Sequence, residues 1–199
     1  MKIIACLHTA ASNVAVFDDV VRTGRMPLTL THTIRTDFLD RIEQCGVDPA
    51  LREEVQNLTS ELRVSADAVL LTCSSLGPAI VPPTLRADQA LADQAVQNGG
   101  RVMVLCAAPT TVAATRTLFE TAARQSGAQI EVLFIPSAWD LFRRGEIDAY
   151  HRLIALTADE LPGGSTIALA QSSMAGAALL CVKTTPFTVP HAALSAACS

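Results

Sequence analysis

The stretch Ala66-Asp67-Ala68-Val69-Leu70-Leu71-Thr72-Cys73-Ser74-Ser75-Leu76 decides the fold, because a related stretch follows later in the chain. A shift of 98 residues carries Cys73-Ser74-Ser75-Leu76 onto Gln171-Ser172-Ser173-Met174 and Val69-Leu70-Leu71 onto Ile167-Ala168-Leu169. The same shift lays Ile3–Leu7 on Arg101–Leu105, and Ser12-Asn13-Val14-Ala15 on Thr110-Thr111-Val112-Ala113. One constant offset aligning separate features is the mark of an internal repeat.

Working outward, short apolar runs alternate with segments of helical periodicity. In the first half, strands are expected over 2–8, 28–32 and 66–72, and helices over 11–22 and 49–63, with another opening near Pro78. In the second half, strands are expected over 101–106, 130–135 and 166–170, and helices over 111–126 and 147–156. Strands alternating with helices predict an α/β fold with parallel sheets and right-handed crossovers, giving two pseudo-symmetric Rossmann-like lobes with a cleft between them. The turn-rich run Gln97-Asn98-Gly99-Gly100 divides the chain into an N-terminal lobe, 1–97, and a C-terminal lobe, 98–189. The tail, 190–199, reads as a helix that packs back on the first lobe.

Composition narrows the function. Half of the 199 residues are apolar but only 4% are aromatic, so the core is built from Ala, Val, Leu and Ile, as suits sheets covered on both faces. The net charge is −4 and the only lysines are Lys2 and Lys183, which excludes a nucleic-acid surface. The opening MKIIACLHTA is read as a first strand rather than a signal peptide, since an α/β pattern continues from it. The most apolar stretch, 167–182, is broken by Gln171, Ser172 and Ser173, so no membrane span is expected. Six scattered cysteines with no CxxC pair give neither a disulfide framework nor zinc spacing. All but one are expected to be small core residues of a cytoplasmic protein.

In open parallel sheets ligands bind beyond the carboxyl ends of the strands. Four loops leave strand ends at repeat-related places: 8–13, 72–75, 107–111 and 170–173. Cys73 follows its strand directly and precedes a helix start, whose N–H groups favour a thiolate. Ser74, Ser75, Ser172 and Ser173, with Ser12, Asn13, Thr110 and Thr111, are candidates to hold a carboxylate, although each also suits helix capping. His8, ending the first strand, is a candidate substrate contact. His32 is a weaker one, and His151 and His191 read as solvated helix residues. Asp37 and Asp140 read as helix caps, and 143–146 as a charged turn. No metal site and no phosphate-binding glycine motif is expected.

The order and spacing of Ala66-Asp67-Ala68-Val69-Leu70-Leu71-Thr72-Cys73-Ser74-Ser75, of Val102-Met103-Val104-Leu105 with Pro109-Thr110-Thr111, and of Leu169-Ala170-Gln171-Ser172-Ser173-Met174 resemble the aspartate/glutamate/hydantoin racemase superfamily, which includes arylmalonate decarboxylases and maleate isomerases. The resemblance extends over essentially the whole chain. It implies a cofactor-independent racemase or isomerase acting at the α-carbon of a small carboxylate, amino acid or hydantoin, in which two cysteines face each other across the cleft. It also allows a homodimer. Cys73 matches the first cysteine; the second position is Gln171, which has no accessible acid–base chemistry and could act only through hydrogen bonds. The departure leaves open a single-thiol decarboxylase of a malonate-like substrate, or a carboxylate-binding relative without turnover. The resembling decarboxylases keep the thiol of the second half, the opposite of this chain.

Overall fold

The structure is a computed structural model that describes residues 1–198. The first half runs β1 (Lys2–His8), α1 (Ser12–Gly24), β2 (Leu28–Ile34), α2 (Thr36–Cys45), α3 (Pro49–Leu62), β3 (Ala68–Leu71), a 3-10 helix (Ser74–Ala79), β4 (Leu85–Arg86) and α4 (Ala87–Val96). The second half runs β5 (Arg101–Cys106), a 3-10 turn (Pro109–Thr111), α5 (Val112–Ala122), β6 (Gln129–Phe134), α6 (Ala138–Arg143), α7 (Ile147–Asp159), β7 (Thr166–Leu169), a 3-10 helix (Ser172–Leu179), β8 (Phe187–Thr188) and α8 (Val189–Cys198).

Each half holds a four-stranded parallel sheet, in the orders β2-β1-β3-β4 and β6-β5-β7-β8. The repeat is exact in register where it matters. Leu7 pairs with Leu71 and Leu105 with Leu169, each member of the second pair 98 positions beyond its counterpart. The central strands β1 and β5 are buried on both faces over most of their length, which is why they read as unbroken apolar runs. Between the halves, Gly99 and Gly100 take φ of +66° and +75°, a left-handed path open to glycine.

Side-chain alternation sends each sheet into two cores. On the outer face of the first sheet Leu7 and Leu71 meet Phe38 of α2 and Leu51 and Val55 of α3. On the outer face of the second, Met103, Leu105, Ile167 and Leu169 meet Tyr150 and Ile154 of α7. The inner faces share one continuous core, in which Ile4, Cys6 and Leu70 of one sheet and Val102, Val104 and Ala168 of the other enclose residues of α4 and α8. The halves are therefore welded by a common core rather than hinged on a linker. Small residues such as Ala87, Ala92, Ala192 and Ala193 let the helices approach there, which explains the alanine-rich composition. α8 lies against α4 and α1, and Lys2 Nζ donates to the Ala197 carbonyl at 3.1 Å. Ser199 lies outside the described residues.

Several expected elements change. The segment after Cys73 is a short 3-10 helix that contains Pro78 rather than a helix begun by it. α2 and α6 follow the second strand of each half, where charged and aromatic residues hid the period. The two-residue strands β4 and β8 are too short to leave a pattern. The cysteines are less buried than expected: Cys6 and Cys106 are core residues, Cys73 and Cys181 are half-buried, and Cys45 and Cys198 are exposed. Arg35, not Asp37, occupies the N-cap of α2, and Asp37 binds the Arg35 guanidinium at 2.6 Å. Asp140 lies inside α6, and Arg144 binds Glu146 at 2.6 Å across the exposed turn at Gly145. Among the described residues no helix is long and apolar enough to cross a membrane.

Candidate active site

The carboxyl ends of both sheets open on one cleft. It is lined by Thr9 and Asn13 after β1, by Thr72–Ser75 after β3, by Ala108 and Thr111 after β5, and by Ala170–Ser173 after β7. All four loops singled out in the sequence contribute. The halves touch at its floor, where Ser172 Oγ donates to the Thr72 carbonyl at 3.3 Å.

Cys73 is the N-cap residue of the first 3-10 helix, in extended backbone. Its thiol meets the Thr9 hydroxyl and the backbone N–H groups of Leu76 and Ser75, all of which favour a thiolate. Burial outweighs them and, with a smaller push from the Asp88 carboxylate, holds the thiol above its ordinary range. The resting group is therefore a proton donor, contrary to the activated thiolate that a helix start implied. Asp88 is itself held by Arg86 through two contacts, at 2.7 and 3.0 Å.

Gln171 is the N-cap residue of the second 3-10 helix, with the same extended backbone. Its side chain is engaged at both ends. Oε1 accepts from the Ala107 N–H at 2.7 Å, and Nε2 donates to Thr111 Oγ1 at 2.9 Å. Thr111 passes the chain on to the Ala108 carbonyl at 2.8 Å. Gln171 thus braces the loop after β5 while lining the cleft.

The remaining candidates divide. Asn13, Ser74, Ser75, Thr111, Ser172 and Ser173 line the cleft, whereas Ser12 and Thr110 are exposed and do not. Asn13 is 7% exposed, and its Oδ1 is buried without a hydrogen-bond partner among the described residues. Ser173 Oγ shares a 2.9 Å hydrogen bond with the Tyr150 hydroxyl. His151, expected in solvent, instead sits half-buried with Nε2 at 2.9 Å from the Ser173 carbonyl. His8 is fully buried and does not line the cleft, because β1 turns its side chain toward α1, the face opposite Thr9. Its Nδ1 lies 2.8 Å from Thr72 Oγ1 and its Nε2 lies 2.9 Å from His32 Nδ1.

Cys6, His8 and His32 place potential metal donors within 4.8 Å of one another. The 2.9 Å between the two imidazole nitrogens is a hydrogen-bond distance. Two nitrogens on one tetrahedral zinc ion stand roughly 3.3 Å apart. The group is a hydrogen-bonded row rather than a metal centre.

Sequence reasoning missed Leu39 of α2 and Trp139 and Phe142 of α6, which also line the cleft. The two aromatic rings stack at 5.0 Å. They narrow the cavity to about 70 Å³, against the few hundred expected for small-ligand sites. The spaced aromatics on a charged helix were the only signal for them.

No protein-family model and no curated protein matches the sequence. Solved structures do match in fold. Allantoin racemase from Klebsiella pneumoniae aligns over 98% of this chain and 86% of its own, with a TM-score of 0.66 at 13% identity. Glutamate racemase from Thermus thermophilus aligns over 98% and 78%, with a TM-score of 0.63 at 13% identity. Glutamate racemase from Bacillus anthracis aligns over 98% and 80%, with a TM-score of 0.62 at 13% identity. The two-lobed α/β fold found here is the fold of these glutamate and allantoin racemases.

Proposed function

We propose that this protein is an isomerase or racemase acting at the α-carbon of a small carboxylate, amino acid or hydantoin, with Cys73 as an acid–base group. One observation carries the reading. Cys73 lies at a strand end, in a cleft formed by repeat-related loops, with small hydroxyls and backbone N–H groups around it. A carbanion beside a carboxylate or carbonyl needs a proton donor at carbon and hydrogen-bond donors at oxygen, and this cleft offers both. Ser74 and Ser75, and Ser172 and Ser173 once their bonds to the Thr72 carbonyl and the Tyr150 hydroxyl are exchanged for the ligand, are the groups suited to hold the oxygens. The fold shared with racemases agrees with this chemistry.

A second reading is favoured by the state of the thiol. Loss of carbon dioxide from a malonate-like substrate creates the carbanion without a base, so one protonated thiol suffices. Gln171, engaged at both ends, takes no part in proton transfer under either reading.

Proton NMR in deuterated water with aspartate, glutamate, hydantoins and 2-substituted malonates separates the readings. Deuterium entering the α-carbon, lost in Cys73→Ala, supports the isomerase. Decarboxylation with deuterium on a single face supports the lyase. Neither reaction, with these compounds still protecting Cys73 from alkylation, overturns both and leaves a carboxylate-binding protein.

A further inference from the structure

Behind Thr72 lies a row of polar groups that the readings above leave unused. Thr72 Oγ1 stands 2.8 Å from His8 Nδ1, His8 Nε2 stands 2.9 Å from His32 Nδ1, and His32 Nε2 stands 3.1 Å from Asp18 Oδ1. Thr72 lines the cleft, and Asp18 is half in solvent on α1. β2, which carries His32, is an edge strand, so the row runs from the cleft to the outside of the sheet.

Proton counting restricts this row to few states. With Asp18 ionised, His32 Nε2 must donate to it. In the state with fewest protons, the Thr72 hydroxyl donates to His8 Nδ1, His8 Nε2–H donates to His32 Nδ1, and both rings are neutral. One added proton reverses every inner bond. His32 Nδ1–H then donates to His8 Nε2, His8 Nδ1–H donates to Thr72, and the Thr72 hydroxyl turns to the Leu7 carbonyl, which lies 3.0 Å away. The added charge belongs on His32 beside Asp18. His8 is fully enclosed, and burial, followed by the neighbouring His32, brings it down to about 4. The other titratable group facing the pair is Cys6 on β1, kept neutral because burial pushes its thiol up to about 12; β3 presents only the uncharged Thr72.

We infer that Thr72, His8, His32 and Asp18 form a proton wire that lets an N–H or O–H acid held in the cleft lose a proton to Thr72 and regain it, the proton being stored on His32. In the forward step the ligand's N–H or O–H bond breaks toward Thr72 Oγ1. The Thr72 proton passes to His8 Nδ1, and the proton on His8 Nε2 passes to His32 Nδ1. The ligand is left with one negative charge and His32 with one positive, and the return step restores both. No other reactant is needed. The catalytic use of the wire rests on the isomerase reading, in which it is the second proton-handling group that Gln171 cannot be; the wire itself does not depend on that reading.

Imidazole ¹⁵N–¹H NMR on the protein alone tests it, with wild type and Asp18→Asn. As pH falls, His32 should gain its second proton, and at the same midpoint His8 should switch from Nε2–H to Nδ1–H while staying neutral. In Asp18→Asn the joint step should move to lower pH, because the carboxylate that favours the charged ring is gone. A His8 tautomer unchanged through the His32 step, or a step unmoved by Asp18→Asn, overturns the wire. For any substrate turned over in the deuterium experiment, the acid limb of the kcat profile should move with the same step at constant KM. A limb that stays in place overturns the catalytic use, whatever the NMR shows. Absence of turnover sinks the isomerase reading and leaves the NMR result to decide the wire.

Discussion

Cys73 and Gln171 occupy the same place in two copies of one loop: each follows the third strand of its half, β3 or β7, each is the N-cap residue of a 3-10 helix in extended backbone, and both line one cleft. The repeat has kept the backbone and exchanged the chemistry. Where the first copy presents a thiol to the cleft, the second spends its side chain on the loop beside it.

Gln171→Ala should therefore destabilise the fold. It leaves the buried Ala107 N–H without its acceptor, a loss of about 1–3 kcal/mol. Gln171→Glu keeps the acceptor for the Ala107 N–H and should lose less at acid pH, where the protonated carboxyl can also donate to Thr111 Oγ1. Urea denaturation of the two variants gives the comparison, and equal stability of Gln171→Ala and wild type would contradict the bracing role.

The Thr9 hydroxyl is the first of the groups that oppose burial at Cys73. Removing it in Thr9→Val should raise the thiol further, so that alkylation at neutral pH slows while the limiting rate at high pH is retained. Iodoacetamide labelling followed at the Cys73 peptide by mass spectrometry reads both, and keeps exposed Cys45 and Cys198 out of the signal. An unchanged pH profile would mean that the backbone N–H groups of Leu76 and Ser75 alone oppose burial at the thiol.

The repeat made the fold legible because parallel pairing is set by register, and a constant offset between the loops preserves it. The candidate site was legible where cleft-lining residues sit at strand ends, as at Cys73, Ser74 and Ser172. It was not legible where a side chain's direction decides its use. His8 and Thr9 are neighbours in sequence, yet strand alternation puts Thr9 in the cleft and His8 behind it. Exposure of Ser12 and Thr110 is likewise a matter of helix phase at the first turn. The His8–His32 pair joins adjacent strands, and no local pattern announces a contact across 24 positions.

Burial of His8 makes stability depend on pH. An ordinary histidine titrates near 6.5, whereas His8 in the fold titrates near 4. Between those values the unfolded chain binds the proton and the folded one does not at this site, so stability should fall as pH drops from 6.5 to 4. The full loss attributable to this residue is about 3 kcal/mol at most. His8→Gln should lose stability at neutral pH but show a shallower decline below it. Urea denaturation at pH 7 and pH 4.5 tests this, and parallel declines in both proteins would remove His8 as the cause.

The narrowness of the cleft has a cause that can be loosened. Leu39 of α2 and Trp139 and Phe142 of α6 crowd its mouth from opposite halves, and Arg143 of α6 reaches Glu43 of α2 at 3.0 Å. These side chains are 54% and 26% exposed, so the pair contributes no more than about 1 kcal/mol to holding the two helices together. Glu43→Gln should therefore open the mouth modestly, raising the alkylation rate of Cys73 by roughly two- to five-fold at low ionic strength. In 1 M salt, where the screening length falls to about 3 Å, the wild type should approach the variant. Small substrates that reach Cys73 by this route should gain in kcat/KM by the same factor. If labelling of Cys73 is indifferent to both Glu43→Gln and salt, the approach of ligands is governed by the aromatic pair alone, and Trp139→Ala should then produce the increase that the ion pair did not.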